Sequence, residues 1–207
     1  MFITFEGIDG CGKTTQAKLL AAGLGQTGRP CLQTYQPGAS SLGVSIRSLI
    51  LHAEVAPAAL TEAMLFMADR GQHVHECLRP ALLEGKIVLC DRYTDSTLAY
   101  QGYGSGQNIE TLRLLNTIAT GGLIPDLTLL FDISPQEAAG RRSKSVRQND
   151  RFEREDFSFH ERVRTGYRTL AQAEPARFVI IDAARAREEI FAEVSRVTFA
   201  RLEASGV

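Results

Sequence analysis

The 207 residues are 44% hydrophobic and 23% charged, close to soluble globular averages, which excludes disordered and fibrous classes and suits one α/β domain. With 23 Lys and Arg against 24 Asp and Glu, the net charge of −1 argues against a protein that coats nucleic acid. The longest apolar run, residues 63–68, is too short to cross a bilayer, and the N-terminus lacks a secretion-signal pattern, so the expectation is cytoplasmic with no membrane partner.

In chain order, a β-rich apolar run at residues 2–5 leads through a glycine-rich loop into a helix marked by Ala17, Leu20, Ala21 and Leu24. A second strand is expected over residues 31–35. Leu60, Met64, Met67, Gly71, Val74 and Leu78 then share one face of a long helix. Pro57 is placed in its first turn, and Pro80 is expected to end or kink it. Strands at residues 87–90, 127–131 and 178–181 complete the set. Phe159, Val163, Tyr167 and Leu170 mark one further helix, and Ile190, Val194 and Val197 the last. Strands alternating with helices predict right-handed crossovers and a buried, five-stranded parallel sheet flanked by helices. Residues 140–154 break the rhythm: six basic residues, two acids and almost no apolar pattern read as an exposed, mobile segment.

Gly7-Ile8-Asp9-Gly10-Cys11-Gly12-Lys13-Thr14 fits G-x-x-x-x-G-K-[ST], directly after a strand and opening a helix. Glycines let backbone N–H groups wrap anionic phosphates, and the helix N-terminus adds partial positive charge. Lys13 supplies a point charge for β and γ oxygens, and the Thr14 hydroxyl suits Mg²⁺. The chain is therefore expected to bind a nucleoside triphosphate through residues 7–15, Gly7 to Thr15 inclusive of Ile8, Asp9, Gly10, Cys11 and Gly12. No N-K-x-D guanine-reading motif is present.

Two apolar runs end in a carboxylate of the kind that holds Mg²⁺ or its waters, at Asp91 and at Asp132, and spacing alone does not rank them. Arg92, directly after Asp91, tips the choice. It sets a metal-side carboxylate beside an anion-binding guanidinium at a strand's C-terminal edge. Cys11 reads either as a small residue where bulk is excluded or as a thiol activated by a helix N-terminus. The four cysteines lack C-x-x-C spacing and are too sparse for a disulfide framework. His73 and His75, two apart on a helix, make a poor metal pair.

The phosphate loop, together with Asp91-Arg92-Tyr93, Ser96-Thr97-Leu98-Ala99-Tyr100-Gln101-Gly102, Phe66-Met67-Ala68-Asp69-Arg70, Pro125-Asp126-Leu127-Thr128-Leu129 and Asp150-Arg151-Phe152-Glu153, resembles the thymidylate kinase family nearly end to end. That resemblance implies a nucleoside monophosphate kinase fold, ATP-dependent phosphorylation of dTMP to dTDP with Mg²⁺, and a homodimer. It implies that Phe66 stacks on thymine and Arg70 donates to a base carbonyl. Arg92 would hold the acceptor phosphate, Thr97 and Gln101 would line the base edge, and Asp9 would reach the acceptor. Glycine at position 10, with arginines on a lid at about 140–154, looks like the bacterial type, in which Arg147 and Arg151 are expected to act with Lys13 and Arg92. Metal contacts fall to Thr14 and Asp91. One block departs: where the family reads R-E-P-G-G-T, this chain reads Tyr35-Gln36-Pro37-Gly38-Ala39-Ser40. If the missing Arg and Glu paired with each other, losing both spares the fold, and acceptor affinity or rate is the property at stake. The rival readings are a kinase for another nucleoside monophosphate and a non-catalytic nucleotide-binding module. An acceptor panel separates all three.

Overall fold

The computed structural model describes residues 1–52, 55, 57–142, 152 and 155–206. Five strands, β1 (Phe2–Glu6), β2 (Cys31–Tyr35), β3 (Ile87–Asp91), β4 (Leu127–Asp132) and β5 (Phe178–Asp182), form one parallel sheet in the order β2-β3-β1-β4-β5. Successive side chains leave opposite faces. Ile3 and Phe5 enter one apolar cluster with Ile87 and Leu89, while Phe2 enters the other with Val88 and Cys90. Both faces are thereby buried, as an all-parallel sheet requires. Four strands run one residue past the apolar run, each to a carboxylate: Glu6, Asp91, Asp132 and Asp182. The acid reads locally as a strand end, but the neighbouring strand still supplies ladder partners there, as in Phe5 opposite Asp91.

The helices are α1 (Lys13–Gln26), α2 (Gly43–His52), α3 (Ala59–His73), α4 (Arg79–Leu83), α5 (Thr94–Thr97), α6 (Ile109–Thr120), α7 (Pro135–Arg142), α8 (Phe157–Ala173) and α9 (Arg187–Ala204). Two expectations about the long helix are corrected, and one of the two outcomes given for Pro80 is excluded. Ala58 keeps an extended ψ of 150°, so helical geometry starts at Ala59 and Pro57 lies before the first turn. Pro80 does not end the run, which passes through a π-helical turn at Val74–Leu78 into α4. A wide turn ahead of a proline relieves the clash between its ring and the carbonyl four residues back. Leu60 and Met64 are exposed, whereas Ala63, Met67, Val74 and Leu78 are buried. Residues 140–142 belong to α7, so the segment read as irregular begins inside a helix.

The connections decide where a ligand can enter. The chain leaves β1 toward β2 on one side and leaves β3 toward β4 on the other, although β1 and β3 are neighbours. Their following loops diverge and open a crevice at the carboxyl ends of the strands. Among the described residues no helix is long and apolar enough to cross a membrane.

Candidate active site

The phosphate loop leaves β1 at Gly7, where φ is +140° and an added Cβ would stand 2.6 Å from the Phe131 carbonyl oxygen. Only glycine passes there. The first turn of α1 carries no acidic residue, and Gly12 (φ +99°) ahead of it offers no side-chain cap. Its N–H groups are thus free of side-chain competition for an anion. Ile8 is buried, so what it can offer a nucleotide is its backbone, and Thr15 is exposed. The Lys13 ammonium lies across the loop, donating to the Gly7 and Ile8 carbonyls at 3.0 Å each. The Thr14 hydroxyl donates to Asp91 Oδ2 at 2.5 Å. Asp132 instead receives both arms of Arg164, at 2.6 and 3.0 Å. The geometry therefore ranks the two carboxylates that spacing left level: Asp91 faces the loop hydroxyl, and Asp132 is occupied.

Thr14 and Asp91 form a hard-oxygen pair, and no group of three or more His, Cys, Asp or Glu that could hold a metal occurs among the described residues. Such a donor set suits Mg²⁺, which keeps several waters and is held by one or two protein oxygens together with phosphates.

Cys11 is 1% exposed, and burial pushes its thiol above the usual range even though Lys13 pulls the other way. That favours the space-filling reading. With a thiol reagent and peptide mapping, the half-buried Cys31 and Cys77 should label before Cys11 and Cys90. Labelling of Cys11 first, with protection by ATP, would contradict it.

Arg92 follows β3 at φ +71°, a left-handed conformation that is rare and costly outside glycine. The backbone is pinned there by the Tyr93 N–H, which donates to the buried Glu6 carboxylate at 2.7 Å. Glu6 also accepts from Ser96 Oγ at 2.6 Å and Tyr167 Oη at 2.9 Å. Burial, and then Asp95, raise its carboxyl above the ordinary range despite these donors and Arg92. The Arg92 guanidinium donates to Asp9 at 2.6 Å, Tyr100 Oη at 3.0 Å and the Gly7 carbonyl at 3.2 Å. Burial alone would raise the Asp9 carboxyl, but Arg92, Lys13 and the Tyr100 hydroxyl outweigh it and hold Asp9 well below the carboxylate range. An ionised Asp9 thus joins the phosphate loop to Arg92.

A cleft opens against this pair. It brings together Asp9, Phe66, Arg70, Arg92, Thr97 and Gln101, the six residues singled out for an acceptor. Phe66 is half-buried, 6.2 Å between ring centres from Phe152. Arg70 is 2% exposed. Gln101 donates to Glu62 at 2.8 Å. Sequence reasoning gave no role to Gln36, Arg47, Ser96, Tyr100 or Phe152, which also line the cleft. The π-helical turn at Leu98–Gly104 was the missing signal, because it follows α5 and carries both Tyr100 and Gln101 into the wall. Arg147 and Arg151 lie outside the described residues. The departing block also resolves: Tyr35 is exposed beside Arg47, whereas Gln36 turns inward to Arg70.

A parallel sheet in this order, with a phosphate loop after its central strand and a cleft alongside, defines a phosphate-loop nucleoside monophosphate kinase fold. The family model for thymidylate kinase matches residues 5–194. A thymidylate kinase from Desulfovibrio desulfuricans is 52% identical over 197 residues, 92% of this chain and 91% of the relative. One from Synechococcus is 48% identical over 206 residues, 99% and 98% of the two chains. The crystal structure of thymidylate kinase from Ehrlichia chaffeensis superposes with a TM-score of 0.78 at 34% identity, covering 96% of this chain and 98% of that one. The chain belongs to the thymidylate kinase family.

Proposed function

We propose that this chain transfers the γ-phosphoryl group of ATP to the 5′-phosphate of dTMP, giving ADP and dTDP. The observation that carries this reading is the cleft itself: Asp9 and Arg92 join it to the phosphate loop, and Phe66, Arg70, Thr97 and Gln101 line it. Phe66 would stack on the thymine ring, Arg70 would donate to a ring carbonyl, and Arg92 would hold the acceptor phosphate. A phosphate monoester has a second pKa of about 6, so the acceptor is already an anionic nucleophile and no general base is needed. Catalysis is then positioning plus charge stabilisation. Lys13 would leave the loop carbonyls to meet the β and γ oxygens. Thr14 and Asp91 would hold Mg²⁺, which would neutralise triphosphate charge when bound.

On the strength of the family resemblance, Arg147 and Arg151, in a lid over residues 140–154 of a single kinase domain, complete the charge clamp. Arg147→Ala and Arg151→Ala should each lower kcat while leaving dTMP affinity nearly intact. Steady-state kinetics beside equilibrium binding checks this, and weaker dTMP binding with normal kcat would assign the residue to the acceptor site.

We further propose a homodimer. Val44 and Leu49 on α2, Leu60 and Met64 on α3, and Leu114 and Ile118 on α6 are all exposed, and α3 packs against both other helices. These exposed apolar side chains on three helices that pack together support the proposal. Sedimentation should give twice the chain mass, and Ile118→Glu should lower it toward one. A cytoplasmic location suits the nucleotide substrates. Incubating the chain with ATP, Mg²⁺ and dTMP tests the reading: dTDP and ADP should form in equal amounts, and ADP with unchanged dTMP would contradict it.

A further inference from the structure

From Arg70 in the cleft wall a chain of buried polar groups runs inward through Gln36 to His73. Arg70 Nε donates to Gln36 Oε1 at 2.9 Å, and Gln36 Nε2 stands 2.9 Å from His73 Nδ1. His73 Nε2 stands 2.7 Å from Thr34 Oγ1. Gln36 is 4% exposed, Arg70 2% and His73 0%. The directions of these bonds follow from donor chemistry. Arginine Nε can only donate, so the Gln36 oxygen must face it, and the amide NH₂ must face His73. Nδ1 is then an acceptor, Nε2 carries the proton, and the Thr34 hydroxyl accepts it.

We infer that Gln36 is a positioning residue for acceptor recognition, a neutral bridge that fixes the Arg70 guanidinium from behind and holds His73 in its Nε2–H tautomer. The other arginine protons are accounted for in the same way. Nη1 donates to Thr97 Oγ1 at 3.0 Å and Asn116 Oδ1 at 2.5 Å, and Nη2 to the Tyr93 carbonyl at 3.0 Å. One Nη2 proton has no partner among the described residues and is left for a ligand carbonyl. Among the described residues no carboxylate hydrogen-bonds this guanidinium, while Asp69 and Glu6 attract it from farther off. The neutral imidazole fits this arrangement: burial, and then Arg70, bring His73 down to about 4, with Glu76 opposing. A protonated ring would turn its Nδ1–H donor against the Gln36 NH₂.

The kinetic part of this inference rests on the dTMP reading above; the tautomer does not. Gln36→Leu removes the acceptor from Arg70 Nε. It should raise KM for dTMP about tenfold, leave kcat within about threefold, and reduce preference for dTMP over dCMP about tenfold. Gln36→Glu keeps an oxygen on Arg70 but offers a second oxygen to His73, so it should restore most of the lost KM while forcing a proton onto Nδ1. Nitrogen-15 NMR of histidine-labelled full-length protein at pH 7 reads that proton directly, with His73 assigned by the loss of its signals in His73→Gln. The expected result is the Nε2–H tautomer in the parent and a protonated Nδ1 in Gln36→Glu. A parent His73 carrying its proton on Nδ1, or a folded Gln36→Leu enzyme with unchanged KM and base preference, would overturn the inference. A parent that shows the expected tautomer but does not use dTMP would overturn the functional reading instead.

Discussion

dCMP should be phosphorylated about 10⁴-fold less efficiently than dTMP, as kcat/KM in an ADP-coupled assay. Thymine presents a carbonyl where cytosine presents an amino donor. Arg70 has nothing but donors to offer, and it cannot turn away, because Gln36, Thr97, Asn116 and the Tyr93 carbonyl take its other N–H groups inside the protein. Cytosine would set donor against donor and leave a buried guanidinium short of a partner. The missing methyl of dUMP is worth only about 1–3 kcal/mol, so dUMP should be a moderately poorer substrate, and purines should fail on size. Arg70→Met should shrink the dTMP preference mainly by damaging dTMP use. Its thermal stability needs measuring alongside, since four buried acceptors lose their donor. Equal efficiency of the parent with dTMP and dCMP would remove Arg70 from base recognition.

Lys13→Ala should lower kcat by about 10²–10³, the scale seen on removing one preorganised charge donor. The ammonium would meet charge that grows on the transferred phosphoryl group, so the rate should suffer more than substrate binding. Lys13 also bonds the Gly7 and Ile8 carbonyls. The variant should therefore lose a little stability as well, and a melting curve separates that from the rate effect. A folded variant with near-normal turnover would take Lys13 out of the mechanism.

The strands and the phosphate loop were legible because each is a local pattern: an apolar run of the right length, or glycines at fixed spacing between a strand and a helix. Arg92 stood out beside Asp91 and Asp9 within the phosphate loop, but Phe66, Arg70, Thr97 and Gln101 became legible only through the family resemblance, since neither periodicity nor composition ties Phe66 to Thr97. What stayed hidden depends on tertiary context. Helix α6 has local signals, with Asn108 capping through its side chain to the Thr111 N–H at 2.8 Å and Gly121 closing it at φ +58°, yet its apolar pattern leaves Leu114 and Ile118 outside. Leu60 and Met64 look like core by spacing, and only the packing of α2 and α6 around α3 shows them exposed. Pro80 is tolerated because a π-helical turn precedes it, a backbone feature without a one-residue signature. The role of Gln36 was unreadable for a related reason. It depends on a histidine 37 positions later, and that contact exists only in the folded chain.

Phosphorus-31 NMR of the purified chain with ATP, Mg²⁺ and dTMP tests the central claim most directly, because it follows where the phosphoryl group goes. The account predicts that the dTMP signal falls while dTDP and ADP rise together in equal amounts. ADP with inorganic phosphate and unchanged dTMP, or bound ATP with no turnover at all, would contradict it.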